Sequence, residues 1–142
     1  MNELVAFFCR CKSQALKSEK LIILIVDESI LFIDRMIRIL QDLNNVQIIL
    51  QANSHSDAIE LIEEIQPDIV LMDIFLRDNE KTGINLLREI RANYPTIEVA
   101  VITNYADGYY RENCKDLGAH HFFDKSNEFD LIPKMIQDKV MP

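Results

Sequence analysis

Leu21-Ile22-Ile23-Leu24-Ile25-Val26-Asp27-Glu28 is an unbroken, isoleucine-rich run that ends in two acids. Continuous apolarity without alternation fits a strand covered on both faces, as in a parallel sheet. The acids stand where such a strand would surface. Three later runs end in a similar place: Ile69 to Met72 at Asp73, Ile97 to Ile102 at Thr103, and Ala119 to Phe123 just before Lys125. Val46 to Leu50 repeats the strand signal without a charged end.

Helical patterns separate these runs. Ser29 is placed to cap a helix through Phe32, Ile33, Met36, Ile37, Leu40 and Leu43, and Ser54-x-x-Asp57 resembles a capping box before Ala58, Ile59, Leu61, Ile62 and Ile65. Pro67 closes that helix, and Pro95 closes the next, which carries Ile84, Leu86, Leu87 and Ile90. Ala106 to Leu117 is a weaker helical stretch with Gly118 as a left-handed cap. In the last helix, through Met135, Ile136 and Val140, Asp130 as N-cap would put Pro133 in the first turn, where a missing N–H is tolerated. Five repeats of strand then helix, joined by short connections, predict an α/β, flavodoxin-like, doubly wound fold. Its five-stranded parallel sheet has order 2-1-3-4-5, with helices on both faces. Ligands in such folds bind beyond the carboxyl ends of the strands where strand order reverses, here between the first and third strands. Asp27, Glu28 and Asp73 lie there.

The chain has 142 residues, 49% hydrophobic, enough for one core, so residues 21–142 are read as one domain. Residues 1–20 stand outside it as an extension, helical or flexible: Leu4, Phe8, Cys11 and Ala15 recur at helical spacing beside Arg10, Lys12, Lys17 and Lys20. A formal net charge of -8 argues against direct nucleic-acid binding, which draws its affinity from basic side chains. Cys9, Cys11 and Cys114 are an odd, sparse set suited to a reducing compartment. Cys9-x-Cys11 has no second ligand pair at zinc spacing, because His120-His121 falls in a stretch that reads as strand. No apolar run approaches the roughly 20 residues of a membrane span, and Glu3 stands where a signal peptide wants positive charge. The expected location is cytoplasmic.

Three carboxylates packed together repel and call for a counter-charge. Magnesium takes one or two carboxylates and completes its shell with waters and phosphate oxygens, and an aspartate can itself be the nucleophile toward a phosphoryl group. Asp73 is the candidate nucleophile, with Lys125 as a further positive charge. Thr103 offers a hydroxyl donor to a remaining phosphoryl oxygen.

Val26-Asp27-Glu28, Leu71-Met72-Asp73, Ile102-Thr103-Asn104 and Asp124-Lys125-Ser126, in that order at strand ends, resemble the receiver domain of two-component response regulators over about residues 20 to 140. The resemblance implies that Asp73 accepts phosphate from a histidine kinase or phosphotransfer protein. It also implies that Asp27, Glu28, Asp73 and the backbone carbonyl of Phe75 hold Mg2+. Thr103 would sense the phosphoryl group, Lys125 would pair with it, and Phe122 would be the switch aromatic. Phe75 and Tyr105, each two places past a site residue, would govern water access and so dephosphorylation. The signal would leave through helix four, strand five and helix five, where Tyr109, Tyr110 and Asn113 are candidates. The expected protein is a stand-alone regulator or phosphorelay shuttle, not an enzyme beyond its own phosphoryl transfer and autodephosphorylation.

Two features depart from the family pattern. The segment from Asp73 to Gly83, with Arg77 to Lys81, is longer than usual, and Phe122 lacks the hydroxyl of the commoner tyrosine, a hydrogen bond worth roughly 0.5–1.5 kcal/mol. A degenerate receiver that binds its partner without phosphorylation is the alternative. A haloacid-dehalogenase-type phosphatase would want an acid at Ser29, and a flavin or dinucleotide fold would want a Gly- or Ser/Thr-rich cradle after the first strand. The chain has only Gly83, Gly108 and Gly118.

Overall fold

Alternate residues of the strand Leu21–Val26 serve two different cores, as the two-residue period of a strand requires. Leu21, Ile23 and Ile25 join one apolar cluster, and Leu24 and Val26 join another. The computed structural model describes residues 6–7, 20–76 and 82–139. In chain order its elements are β1 (Ala6–Phe7), β2 (Leu21–Val26), α1 (Ile30–Leu40), β3 (Val46–Ala52), α2 (His55–Ile65), β4 (Ile69–Met72), α3 (Gly83–Asn93), β5 (Glu98–Thr103), α4 (Gly108–Asp116), β6 (His121–Asp124) and α5 (Leu131–Gln137).

The sheet order is β1-β3-β2-β4-β5-β6. The strands β2 to β6 are parallel and, counted among themselves, follow the expected order 2-1-3-4-5. Helices α1 and α5 cover one face through Phe32, Ile33, Met36, Ile37, Leu40, Ile132 and Ile136. The other face is covered by α2, α3 and α4 through Ala58, Ile62, Leu86, Leu87, Ile90 and Cys114. Burial of Cys114 pushes its thiol up to about 11, so it behaves as a small apolar side chain.

One correction concerns the N-terminal segment. Ala6–Phe7 is not helical but a short strand, antiparallel to β3 with Ala6 opposite Leu50 and Phe7 opposite Ile49, so the sheet has six strands. Leu4, Phe8, Cys11 and Ala15, whose spacing suggested a helix, lie outside the described residues, as do Cys9 and Arg77 to Lys81.

Capping follows local chemistry. Ser29, Ser54, Thr82 and Asp107 each accept the backbone N–H three residues on, satisfying one of the otherwise unpaired donors of the first turn. Asp130 does not cap, contrary to expectation: its backbone is already helical and its side chain makes no cap bond. The amides of Leu131 and Ile132 are instead taken by the carbonyls of Glu128 and Phe129. Gly118 has φ +104 after α4, the left-handed position expected of it. Gly83 is required for a different reason. Its N–H donates to the Ile74 carbonyl at 3.1 Å, and a Cβ there would lie 2.3 Å from the Asp73 carbonyl oxygen. The start of α3 is thereby pressed against the backbone of Asp73.

Candidate functional site

Asp27, Asp73 and Lys125 each stand one residue past a strand and are tied back to its neighbour. The N–H of Asp27 donates to Ala52, that of Asp73 to Val26, and that of Lys125 to Thr103, at 3.1, 3.1 and 2.8 Å. Parallel pairing therefore brings residues remote in sequence to one sheet edge. Asp27 and Thr103 are buried, at 2% and 0% exposure. Lys125 Nζ lies 2.7 Å from Asp27 Oδ2 and 3.0 Å from Asp73 Oδ2.

Four strand exits share one device. The side-chain oxygens of Asp27, Asp73, Thr103 and Asp124 each accept the N–H two residues on, from Ser29, Phe75, Tyr105 and Ser126. Short polar side chains make such local turns readily. In both site aspartates Oδ1 is committed to the loop, and Oδ2 faces Lys125. The bond from Tyr105 uses an acceptor lone pair of Thr103, not its hydroxyl proton.

Burial is the largest influence on Asp27 and raises its pKa, against the lowering pull of Lys125 and the Ser29 amide, with Asp73 raising it further. Burial alone would depress Lys125, but its contacts with Asp27 and the charge of Asp73 hold its pKa above the ordinary value. Two carboxylates thus share one ammonium. Asp27 Oδ2 is buried and, among the described residues, its one charged partner is Lys125 Nζ at 2.7 Å, an ammonium it shares with Asp73. It has capacity for a further cation.

Glu28 is half-buried on the loop after Asp27. Among the described residues no three acid, histidine or cysteine side chains stand close enough to hold a metal together. The expected trio of Asp27, Glu28 and Asp73 is therefore not gathered into a three-carboxylate cage. Two carboxylates still meet what magnesium asks of a protein.

Phe75 and Tyr105 lie at the rim of the site, 40% and 57% exposed, with ring centroids 4.3 Å apart. Tyr110 packs edge-on to Phe75 at 5.3 Å. Phe122 is half-buried against the α2/α3/α4 core. The Arg111 guanidinium covers its ring at 4.7 Å and donates to its carbonyl at 3.2 Å. Arg111 was not legible in the sequence, and neither was Phe32, whose ring lies 4.5 Å below Lys125 Nζ. Phe32 reads simply as a core position of an amphipathic helix.

The family profile described as response regulator receiver domain matches residues 23–137. The chain belongs to the response regulator receiver family. This receiver is 25% identical over 125 residues to the transcriptional regulatory protein DegU of Brevibacillus brevis, covering 88% of this chain and 52% of that protein. The chain thus spans about half the length of such curated relatives. In fold, the receiver is similar to a LuxR-family two-component response regulator from Aurantimonas sp. SI85-9A1. The TM-score is 0.71 at 20% identity, covering 85% of this chain and 88% of that one. It is equally similar to the Mn2+-bound form of response regulator Rcp1, with a TM-score of 0.71 at 19% identity, covering 86% and 99% of the two chains. No described helix of the receiver is long and apolar enough to cross a membrane.

Proposed function

We propose that this receiver is a phosphorylation-dependent signalling switch in which Asp73 accepts a phosphoryl group from a histidine kinase or phosphotransfer protein. The observation that carries the reading is the bridge of Lys125 between Asp73 and Asp27, at 3.0 and 2.7 Å. A carboxylate oxygen of Asp73 forms the new bond to phosphorus as the donor's bond to phosphorus breaks. The carboxylate charge that Asp73 loses departs with the donor's leaving group, either a histidine nitrogen that takes up a proton or the acetate of acetyl phosphate, while the phosphoryl oxygens bring their own negative charge to the site. Lys125 then has a new partner within reach, and the Thr103 hydroxyl can donate to a phosphoryl oxygen.

Asp27, Asp73 and the backbone carbonyl of Phe75 are the oxygen donors that would hold Mg2+, with Glu28 beside them as an outer acid, and the Mn2+-bound form of Rcp1 supports a divalent site in this fold. Bound there, the ion would supply charge neutralisation on the transferring group. Rearrangement of Thr103 and Phe122 would carry the change toward α4, where Tyr109 is 71% exposed. The face formed by α4, β6 and α5 is the proposed contact with a downstream protein. The net charge of -8 favours a protein over nucleic acid as the partner of this face.

The test is phosphate-affinity electrophoresis with acetyl phosphate and magnesium. Wild type shifts, whereas Asp73→Asn and wild type with EDTA do not. A wild type that never shifts would instead support the phosphorylation-independent binding module. Phe75 and Tyr105, touching at the rim, are proposed to exclude the water that hydrolyses the acyl phosphate. Replacing both with serine should shorten the lifetime of phosphorylated Asp73, and an unchanged decay rate removes them from that role.

A further inference from the structure

The two strands that end the parallel part of the sheet, β3 and β6, are protected very differently. Natural sheet edges discourage pairing with other chains by being short, charged, interrupted by proline or bulged. β6, at one edge, has four residues including His121 and Asp124. β3 has seven, Val46-Gln47-Ile48-Ile49-Leu50-Gln51-Ala52, without a charge, proline or glycine. Its one irregularity is a register shift against β2 near Gln47, and Ile48 to Ala52 then runs regularly. From Leu43 to Ser56 there is no Asp, Glu, Lys or Arg, the longest such stretch in a chain of net charge -8.

Among the described residues, the outer side of β3 is paired only with β1, at Leu50 and Ile49. That pairing is antiparallel, so the edge demonstrably accepts a strand running against it. Among the described residues the cover has only two paired positions, and elements with few contacts open locally at low free energy.

We propose that β1 is a removable cover, and that lifting it lets the β3 edges of two copies of this chain pair antiparallel across a two-fold axis. Such an interface is isologous: Ile49 and its neighbours on one copy meet the same segment on the other. No like charges oppose one another along the edge. A second copy is the fitting occupant because the edge is uncharged and self-complementary in hydrogen bonding, so it needs no partner of different chemistry. The two bodies, each acidic, still repel at long range, and added salt screens that repulsion. Self-association should therefore strengthen with ionic strength, the reverse of a charge-paired interface.

The experiment compares full-length wild type with full-length Ala6→Pro/Phe7→Pro by sedimentation velocity across a wide concentration range. Proline removes the ladder N–H and so frees β1 without touching β3. The proline variant should dimerise about ten-fold more tightly than wild type, a change of about 1.4 kcal/mol. Adding Gln47→Lys/Gln51→Lys should return it to monomer. Hydrogen exchange of wild type gives an independent readout, in which residues 46–52 become more protected as protein concentration rises. Self-association unchanged by the prolines or by the lysines overturns the proposal. If the proline variant does not fold, concentration-independent exchange of residues 46–52 in wild type overturns it equally.

Discussion

At the carboxyl end of the sheet two acids, Asp27 and Asp73, share one base, Lys125. At the amino end one acid, Glu98, is held by two bases: Lys139 Nζ contacts both its oxygens at 2.5 Å, and His121 Nε2 lies 2.6 Å from Oε2. The first cluster is short of positive charge, and the second is not. Burial is the largest influence at both acids. At Asp27 it wins and the pKa rises, while at Glu98 the two bases overcome it and the pKa falls. Proximity of opposite charges does not by itself mark a functional site. The cluster left under-neutralised has reason to bind something more, whereas the satisfied one pins the end of α5 to the sheet.

The contrast can be broken most sharply at its acids. Asp73→Asn should abolish phosphoryl uptake from acetyl phosphate, and Glu98→Gln should leave it intact; equal loss in both would erase the distinction between the two ends. Next in size are the bases. Lys125→Ala strands two acids at a site where its side chain is only 13% exposed, and should cost about 3 kcal/mol in urea unfolding. Lys139→Ala, at a more exposed pair, should cost under about 1 kcal/mol.

A smaller effect with the opposite sign is expected at Asp27. Because folding raises its pKa, the fold favours the protonated form. The stability from that preference is complete below the ordinary value of 3.8 and is lost as pH rises through the folded value. Asp27→Asn should therefore raise the thermal midpoint at pH 7 while impairing metal-dependent phosphorylation. The gain should shrink as the buffer is made acidic. Glu98 has the reverse dependence: its contribution is complete above the ordinary value of 4.5 and is lost as pH falls through the lowered folded value. Melting curves of Glu98→Gln should accordingly lose less stability than wild type over that acid range. A parallel acid response would mean that Lys139 and His121 are not holding Glu98 in solution.

Much of the fold was legible because buried parallel strands announce themselves as unbroken apolar runs, and because a polar residue at the end of each marks one edge. Asp27, Asp73, Thr103 and Lys125 were readable for that reason. Ala6–Phe7 was not, since two apolar residues carry no period and their pairing with β3 spans more than forty positions. Asp130 misled because side-chain capping was assumed where the preceding backbone turn already supplies acceptors. The partners of Lys125 and Phe122 in the third dimension, Phe32 and Arg111, depend on side-chain direction across elements, to which sequence spacing is blind. The amino-end cluster was hidden likewise: Glu98 and Lys139 stand 41 residues apart.

The local turns at the strand exits have a consequence for signalling. An aspartate has two oxygens, and those of Asp73 are both spoken for, one by the Phe75 amide and the other by Lys125. Making either of them the bridging atom of an anhydride strips it of charge and weakens whichever tether it held. Chemistry at this residue cannot leave its surroundings as they were: to be modified is already to let go of a neighbour.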